Sequence, residues 1–287
     1  MEAKLWFILL CSVVALLLYI IGFWRRKAGE AAFAAAQLAE NDEQRDSYCR
    51  LGVLAGNRNA CCMFCLSRPD FFEDRQAAQP LKPFKSHGVK TAFYGHYYPS
   101  RYQELLNDEQ RSFCQSLYEF KEGEKHGIEF FKACLSALQL NGLSCHVMFM
   151  PCSTEAKYFR RFRHLHEYIV TSRPELTSGL HDVDVFEDRE SLHNAKGSEN
   201  RVLERNYRIT GNLEGKQIVI VDDVLTTGQS MADYKGEIER CGGKVVAAVF
   251  YGKTVTMSPP FLVKVYVWGS YITDLIGELA KPSDKKG

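Results

Sequence analysis

In the stretch Ile218 to Ser230, IVIVDDVLTTGQS, an apolar strand-like run gives way to two acids, then to a turn rich in small hydroxyls, then to a helix starting near Ser230. In open α/β sheets ligands bind beyond the carboxyl ends of the strands, where helix amino-termini present unpaired N–H groups. The turn therefore reads as an anion site. Thr226 and Thr227 add hydroxyl donors, and Gly228 lets the backbone wrap around a phosphate. Asp222 and Asp223 would repel a phosphate at contact, so their natural partners are neutral sugar hydroxyls or a hydrated divalent cation. Phosphate at one end and carboxylates at the other together describe a sugar phosphate.

The surrounding pattern fits the same reading. Phe113 to Leu140 has apolar residues at helical spacing and ends at Asn141-Gly142, and His146 to Met150 (HVMFM) follows as a short buried strand. Pro174 to Asn206 is polar and charged with little periodicity. Gln217 to Val221, Val245 to Phe250 and Leu262 to Trp268 are three further strand candidates, the first two separated by a helix. The expected fold class is α/β, with a mainly parallel central sheet flanked by helices. Pro69, Pro80, Pro83 and Gly88 place a domain boundary near residue 80, giving a sheet domain over 81–275 and a polar tail over 276–287.

The amino-terminal part reads differently. Leu5 to Trp24 is an uncharged apolar run, and a helix of ~20 such residues is what a bilayer core of ~30 Å requires. Trp6 and Trp24 mark its ends, and Arg25, Arg26 and Lys27 follow at once. The expectation is a single-pass membrane anchor over 1–27 with the rest of the chain cytoplasmic. A cleaved signal peptide is the rival, although its basic region would precede the apolar run. Residues 28–80 read as a short helical segment and linker, broken at Asn41-Asp42 and Gly56-Asn57. Leu51-Gly52, Gly56-Asn57 and Ala60 look like part of a Sel1-type helical repeat; a plain helical spacer is the alternative. Of the ten cysteines, Cys61, Cys62 and Cys65 would supply half of a zinc ribbon, but no second Cys-x-x-Cys completes it, which favours buried side chains on a helix. With a net charge of +1 the chain has no electrostatic footprint for nucleic acid, and none is expected as a partner.

The residues Asp-Asp, two variable positions, Thr-Thr-Gly, one variable position and Ser, following a strand, closely resemble the signature of type I phosphoribosyltransferases. A P-loop would need Gly-Lys-Ser/Thr, absent here, and a receiver domain would need a phosphoacceptor Asp at another strand end. The resemblance implies that Thr226, Thr227, Gly228, Gln229 and Ser230 hold the 5′-phosphate of phosphoribosyl pyrophosphate, while Asp222 and Asp223 bind the ribose hydroxyls as the catalytic acids. Upstream, PCSTEAKYFRRFRHLHEYI extends the resemblance to the ComF-like branch. It implies a pyrophosphate loop at Cys152 and Ser153, with Arg161 and Arg163 as cations beside it; a solvated helix face is the other reading of those arginines. Asp182 to Asn206 falls where the family has a closing loop, with Lys196 and Arg201 as its cations. That branch usually carries an amino-terminal zinc ribbon, which this chain lacks, so no role in DNA uptake is carried over.

The implied activity is a Mg²⁺-dependent phosphoribosyltransferase of nucleotide metabolism, in which a nitrogenous acceptor displaces pyrophosphate. The acceptor site would be built from Phe84 to Tyr102 and the carboxy-terminal segment. The alternative is a catalytically silent phosphoribosyl pyrophosphate sensor or adaptor at the membrane. A homodimer or a protein partner through the helical segment is left open.

Overall fold

The computed structural model describes residues 2–69, 79–186 and 206–279. They divide into two compact units. One contains three amino-terminal helices, Glu104–Leu106 and the segment from Thr256; the other holds the sheet and ends at Val255.

In the sheet unit, a six-stranded sheet has the order β1-β2-β8-β7-β3-β4. Its strands are β1 (Phe84–Ser86), β2 (Val89–Tyr97), β3 (Cys145–Phe149), β4 (Leu176–Ser178), β7 (Gln217–Leu225) and β8 (Lys244–Thr254). Only β1 runs antiparallel to its neighbour; the other pairings are parallel. The strands expected at 146–150, 217–221 and 245–250 are β3, β7 and β8, and the mainly parallel α/β sheet with flanking helices is observed. All five side chains of β3 are buried, as a central parallel strand covered on both faces requires. A separate antiparallel pair joins β5 (Val183–Val185) to β6 (Tyr207–Ile209).

The single helix expected between Phe113 and Leu140 is two. Helix α4 (Asp108–Lys121) starts from a capping box in which Asn107 and Gln110 exchange side-chain to backbone bonds, and α5 (Ile128–Ala137) begins after a break. The break has a steric cause: Gly123 (φ 73°) and Gly127 (φ 68°) take left-handed backbone, and a β-carbon on Gly123 would strike the Arg160 backbone. Helices α6 (Glu155–Ser172) and α7 (Gln229–Arg240) complete the layer. The apolar side of α6 (Tyr158, Phe162, Leu165, Ile169) is buried in the core, where Phe162 lies 4.9 Å from Phe149 of β3.

In the helical unit, α1 (Glu2–Gln37), α2 (Asp42–Ala55) and α3 (Arg58–Leu66) precede α8 (Pro260–Leu279). The last corrects the strand expected at Leu262 to Trp268. Val263 and Val267, one helical turn apart, are the fully buried residues of that run, and they join Val53, Cys61, Met63, Phe64 and Cys65 in a second core. Pro260 suits the first helical position because its missing N–H has no intrahelical acceptor there. Gly52 of α2 permits close approach to α3, since a β-carbon on it would lie 2.5 Å from Ala60 Cβ. All ten cysteines are free. Burial pushes the Cys65 thiol up to about 12 and also raises those of Cys61 and Cys62, and among the described residues no group of three or more His, Cys, Asp or Glu could hold a metal.

The expected single-pass anchor at 5–24 is corrected. Among the described residues no helix is long and apolar enough to cross a membrane. The cytoplasmic assignment depended on that span and falls with it.

Candidate active site

The chain order around the sheet places a topological switch point between β3 and β7. From β7 the chain proceeds to β8 on one side, whereas from β3 it proceeds to β4 on the other, so the loops leaving the neighbouring strands β3 and β7 diverge. β7 also outruns β3: their pairing ends at Phe149–Val221, while β7 stays paired with β8 as far as Leu225. One edge of Asp222–Leu225 is thereby freed beside the loop that follows β3. The first step of that loop is held by the Met150 N–H, which donates to Val221 O at 2.9 Å.

Asp222 and Asp223 follow the buried run Ile218–Val221 of β7. The Asp223 side chain, 12% exposed, pairs through Oδ2 with Arg161 Nη1 of α6 and lies 3.8 Å from Lys121 Nζ at the end of α4. Arg161 is itself only 15% exposed, so this ion pair is largely desolvated. Lys121 Nζ also sits 5.6 Å above the Tyr97 ring, whose hydroxyl is 3.0 Å from that of Tyr118. Asp222 Oδ1 accepts the Asp223 N–H at 2.7 Å.

Burial, and after it the negative charge of Asp223, push the Asp222 carboxyl up to about 8, against the pull of Arg161 and Lys121. A carboxyl raised in the folded state holds a proton that the unfolded chain has already lost, so stability falls as pH rises from near the ordinary 3.8 through the folded value. Asp222→Asn keeps the oxygen that accepts the Asp223 N–H and removes this penalty. Urea denaturation is expected to show the variant more stable than the parent at pH 8.5, with the gap narrowing steadily toward pH 4.5.

Beyond β7 the chain turns through exposed hydroxyls into a helix start. Thr226 and Thr227 are exposed; Thr226 Oγ1 lies 3.1 Å from Thr254 Oγ1, and Thr227 Oγ1 accepts the Gln229 N–H at 3.4 Å. Gly228 (φ 81°) starts α7 with no side-chain cap of its own, so the first-turn N–H groups have no intrahelical acceptor. Gln229 Nε2 donates to Asp233 Oδ1 at 2.8 Å, and Ser230 is exposed. The turn between β1 and β2 reaches this loop: His87 Nε2 donates to Thr227 O at 3.0 Å.

The loop after β3 carries Cys152 and Ser153. Burial pushes the Cys152 thiol up to about 12, so it stays protonated and is no nucleophile. Asn206 fixes this loop, its Nδ2 donating to Cys152 O at 2.9 Å and to Ser153 O at 3.3 Å. Asn206→Ala leaves both carbonyls without that donor and is expected to cost about 1–2 kcal/mol in urea denaturation.

The structure thus brings Asp222, Asp223 and Arg161 together, and sets the loops 226–230 and 152–153 on the two neighbouring strand ends. Arg163 is not part of this group: it is exposed, with Nη2 3.4 Å from His164 Nε2. Lys196 and Arg201 lie outside the described residues. Lys121 and Asn206 shape the site through residues distant in the chain, Lys121 beside Asp223 and Asn206 on the loop at Cys152 and Ser153.

Residues 163–267 match the family model described as a phosphoribosyl transferase domain. The matched span contains all of Asp222 to Ser230 and begins after Cys152, Ser153 and Arg161. No curated protein matches the chain. Over residues 163–267, then, the chain is similar to the phosphoribosyl transferase domain, whose general chemistry is phosphoribosyl transfer.

Proposed function

We propose that the sheet unit is a Mg²⁺-dependent phosphoribosyltransferase of the type I, ComF-like kind, taking phosphoribosyl pyrophosphate and a nitrogenous acceptor and releasing pyrophosphate. The observation that carries this reading is the acid pair Asp222–Asp223 followed directly by an exposed threonine turn and an uncapped helix start at Gly228. Thr226, Thr227 and Ser230 hydroxyls with the N–H groups of Gly228 and Gln229 receive the 5′-phosphate. Asp222 and Asp223 accept hydrogen bonds from the ribose 2′- and 3′-hydroxyls. The pyrophosphate lies toward the Cys152–Ser153 loop and Arg161, whose guanidinium already faces the site through Asp223.

The side chains fit a bound Mg²⁺ in one respect: two adjacent carboxylates, one of them driven toward protonation by burial and by its neighbour's charge, suit a hydrated cation held largely by substrate oxygens and water. When bound, Mg²⁺ supplies positive charge that offsets the pyrophosphate. The chain's own residues orient the sugar and stabilise the departing anion, so catalysis is positional and electrostatic and needs no side-chain nucleophile.

Pyrophosphate release from phosphoribosyl pyrophosphate, followed across a panel of nucleobases with Mg²⁺, tests the reading. Base-dependent release by the full chain, lost in Asp222→Asn, supports turnover and names the acceptor. Tight binding without release for any base contradicts it in favour of a sensor.

A further inference from the structure

The helical unit contains a cavity of about 390 Å³ whose lining includes Arg25, Arg26, Glu30, Gly56, Asn57 and Lys264. Three of these six residues carry cationic side chains, and none belongs to the sheet unit. Arg25 is held in place by Nη2 donating to Leu54 O at 3.0 Å. Gly56, in left-handed backbone at the end of α2, marks where the charges converge. A β-carbon there would sit 3.5 Å from Lys264 Nζ and 3.8 Å from Arg25 Nη2. Glu30, which also lines the cavity and pairs with Lys27 Nζ at 2.9 Å, is a single carboxylate against three cations and offsets only part of their charge. Asn57 caps α3 by accepting the Ala60 N–H, so the positive end of that helix also borders the cavity.

Like charges directed at one point repel unless an anion lies between them. A guanidinium fork, an ammonium and a helix amino-terminus around one polar cavity together match the oxygens of a phosphate group. We infer that this cavity is a phosphate site, separate from the substrate site of the sheet unit. A free phosphate and the headgroup of an anionic phospholipid share this chemistry.

The test uses the full chain and two probes. Inorganic phosphate is titrated by calorimetry, and vesicles of phosphatidylcholine with and without phosphatidic acid are assayed by co-sedimentation. The parent chain is expected to bind at least one phosphate-bearing probe, and Arg25→Gln/Lys264→Gln to weaken that binding by at least ~10-fold. Phosphoribosyl pyrophosphate binding is expected to stay unchanged in this variant. Calorimetric binding assigns the site to free phosphate, and binding only to phosphatidic acid vesicles assigns it to a headgroup. Should the double variant fail to fold, Arg26→Gln replaces it with a smaller loss expected. The inference is overturned if the parent binds neither probe, or if the variant binds as tightly as the parent. It is also overturned if the binding is lost in Thr226→Ala/Thr227→Ala instead, since that places the anion on the sheet unit's loop and leaves the proposed transferase reading standing.

Discussion

Asp223→Ala is expected to lower folding stability by about 3 kcal/mol, because it leaves Arg161 largely buried without the carboxylate that compensates it. The pair is desolvated on both sides, so water cannot take over the lost interaction. Asp222 limits the damage: freed from the repulsion of Asp223, it ionises more readily and turns toward the same guanidinium. Removing both charges should therefore restore much of the loss, and Asp223→Ala/Arg161→Met is expected to be more stable than Asp223→Ala alone. Urea denaturation of the two single variants and the double gives the coupling directly. A loss in Asp223→Ala below ~0.5 kcal/mol would mean the pair is effectively solvent-screened and does not organise the site. With Asp222→Asn expected to stabilise the protein above neutral pH, two adjacent acids of like charge are predicted to respond with opposite signs.

Gly228→Ala is expected to be the most damaging small substitution in the candidate phosphate turn. At φ 81° an L-residue is strained, and the added β-carbon would lie 2.6 Å from Ser86 Oγ and 2.9 Å from His87 Cδ2. Strain of about 1–2 kcal/mol and the steric clash together should cost about 2–3 kcal/mol. Relief would come from moving the turn, which also carries Thr226 and Thr227, so phosphoribosyl pyrophosphate affinity is expected to fall by at least ~10-fold. Gly236, on the same helix with no neighbouring atom within 4 Å of its would-be β-carbon, is the control: Gly236→Ala should be neutral or stabilising by about 0.5–1 kcal/mol. Equal behaviour of the two glycines would show that the turn tolerates displacement.

The central part of the fold was legible because β3, β7 and β8 are short apolar runs bounded by clear turn residues, and because the chemistry of Asp222 to Ser230 is local in sequence. Where the sequence misled, the determinants were tertiary. Leu262 to Trp268 is rich in β-branched and aromatic residues, which favours strand on propensity, yet Val263 and Val267 are buried at helical spacing against the amino-terminal helices. The apolar run of α1 suggested a bilayer span on composition, but among the described residues no helix is long and apolar enough to cross a membrane. Within the site, Arg161 and Arg163 were indistinguishable in sequence. Two positions apart on a helix, they point in different directions, and only Arg161 meets Asp223. Asn206 could not have been found from any motif, since its role is to hold carbonyls 54 and 53 residues earlier in the chain.

The most direct test of the account is calorimetric titration of phosphoribosyl pyrophosphate into the full chain with Mg²⁺, alongside Asp222→Asn and Gly228→Ala proteins shown to be folded by circular dichroism. Saturable binding by the parent, weakened in both variants and undisturbed in Arg25→Gln/Lys264→Gln, is the predicted result. Absence of binding to the folded parent chain, or equal binding by all four proteins, would contradict the assignment of Asp222 to Ser230 as the substrate site.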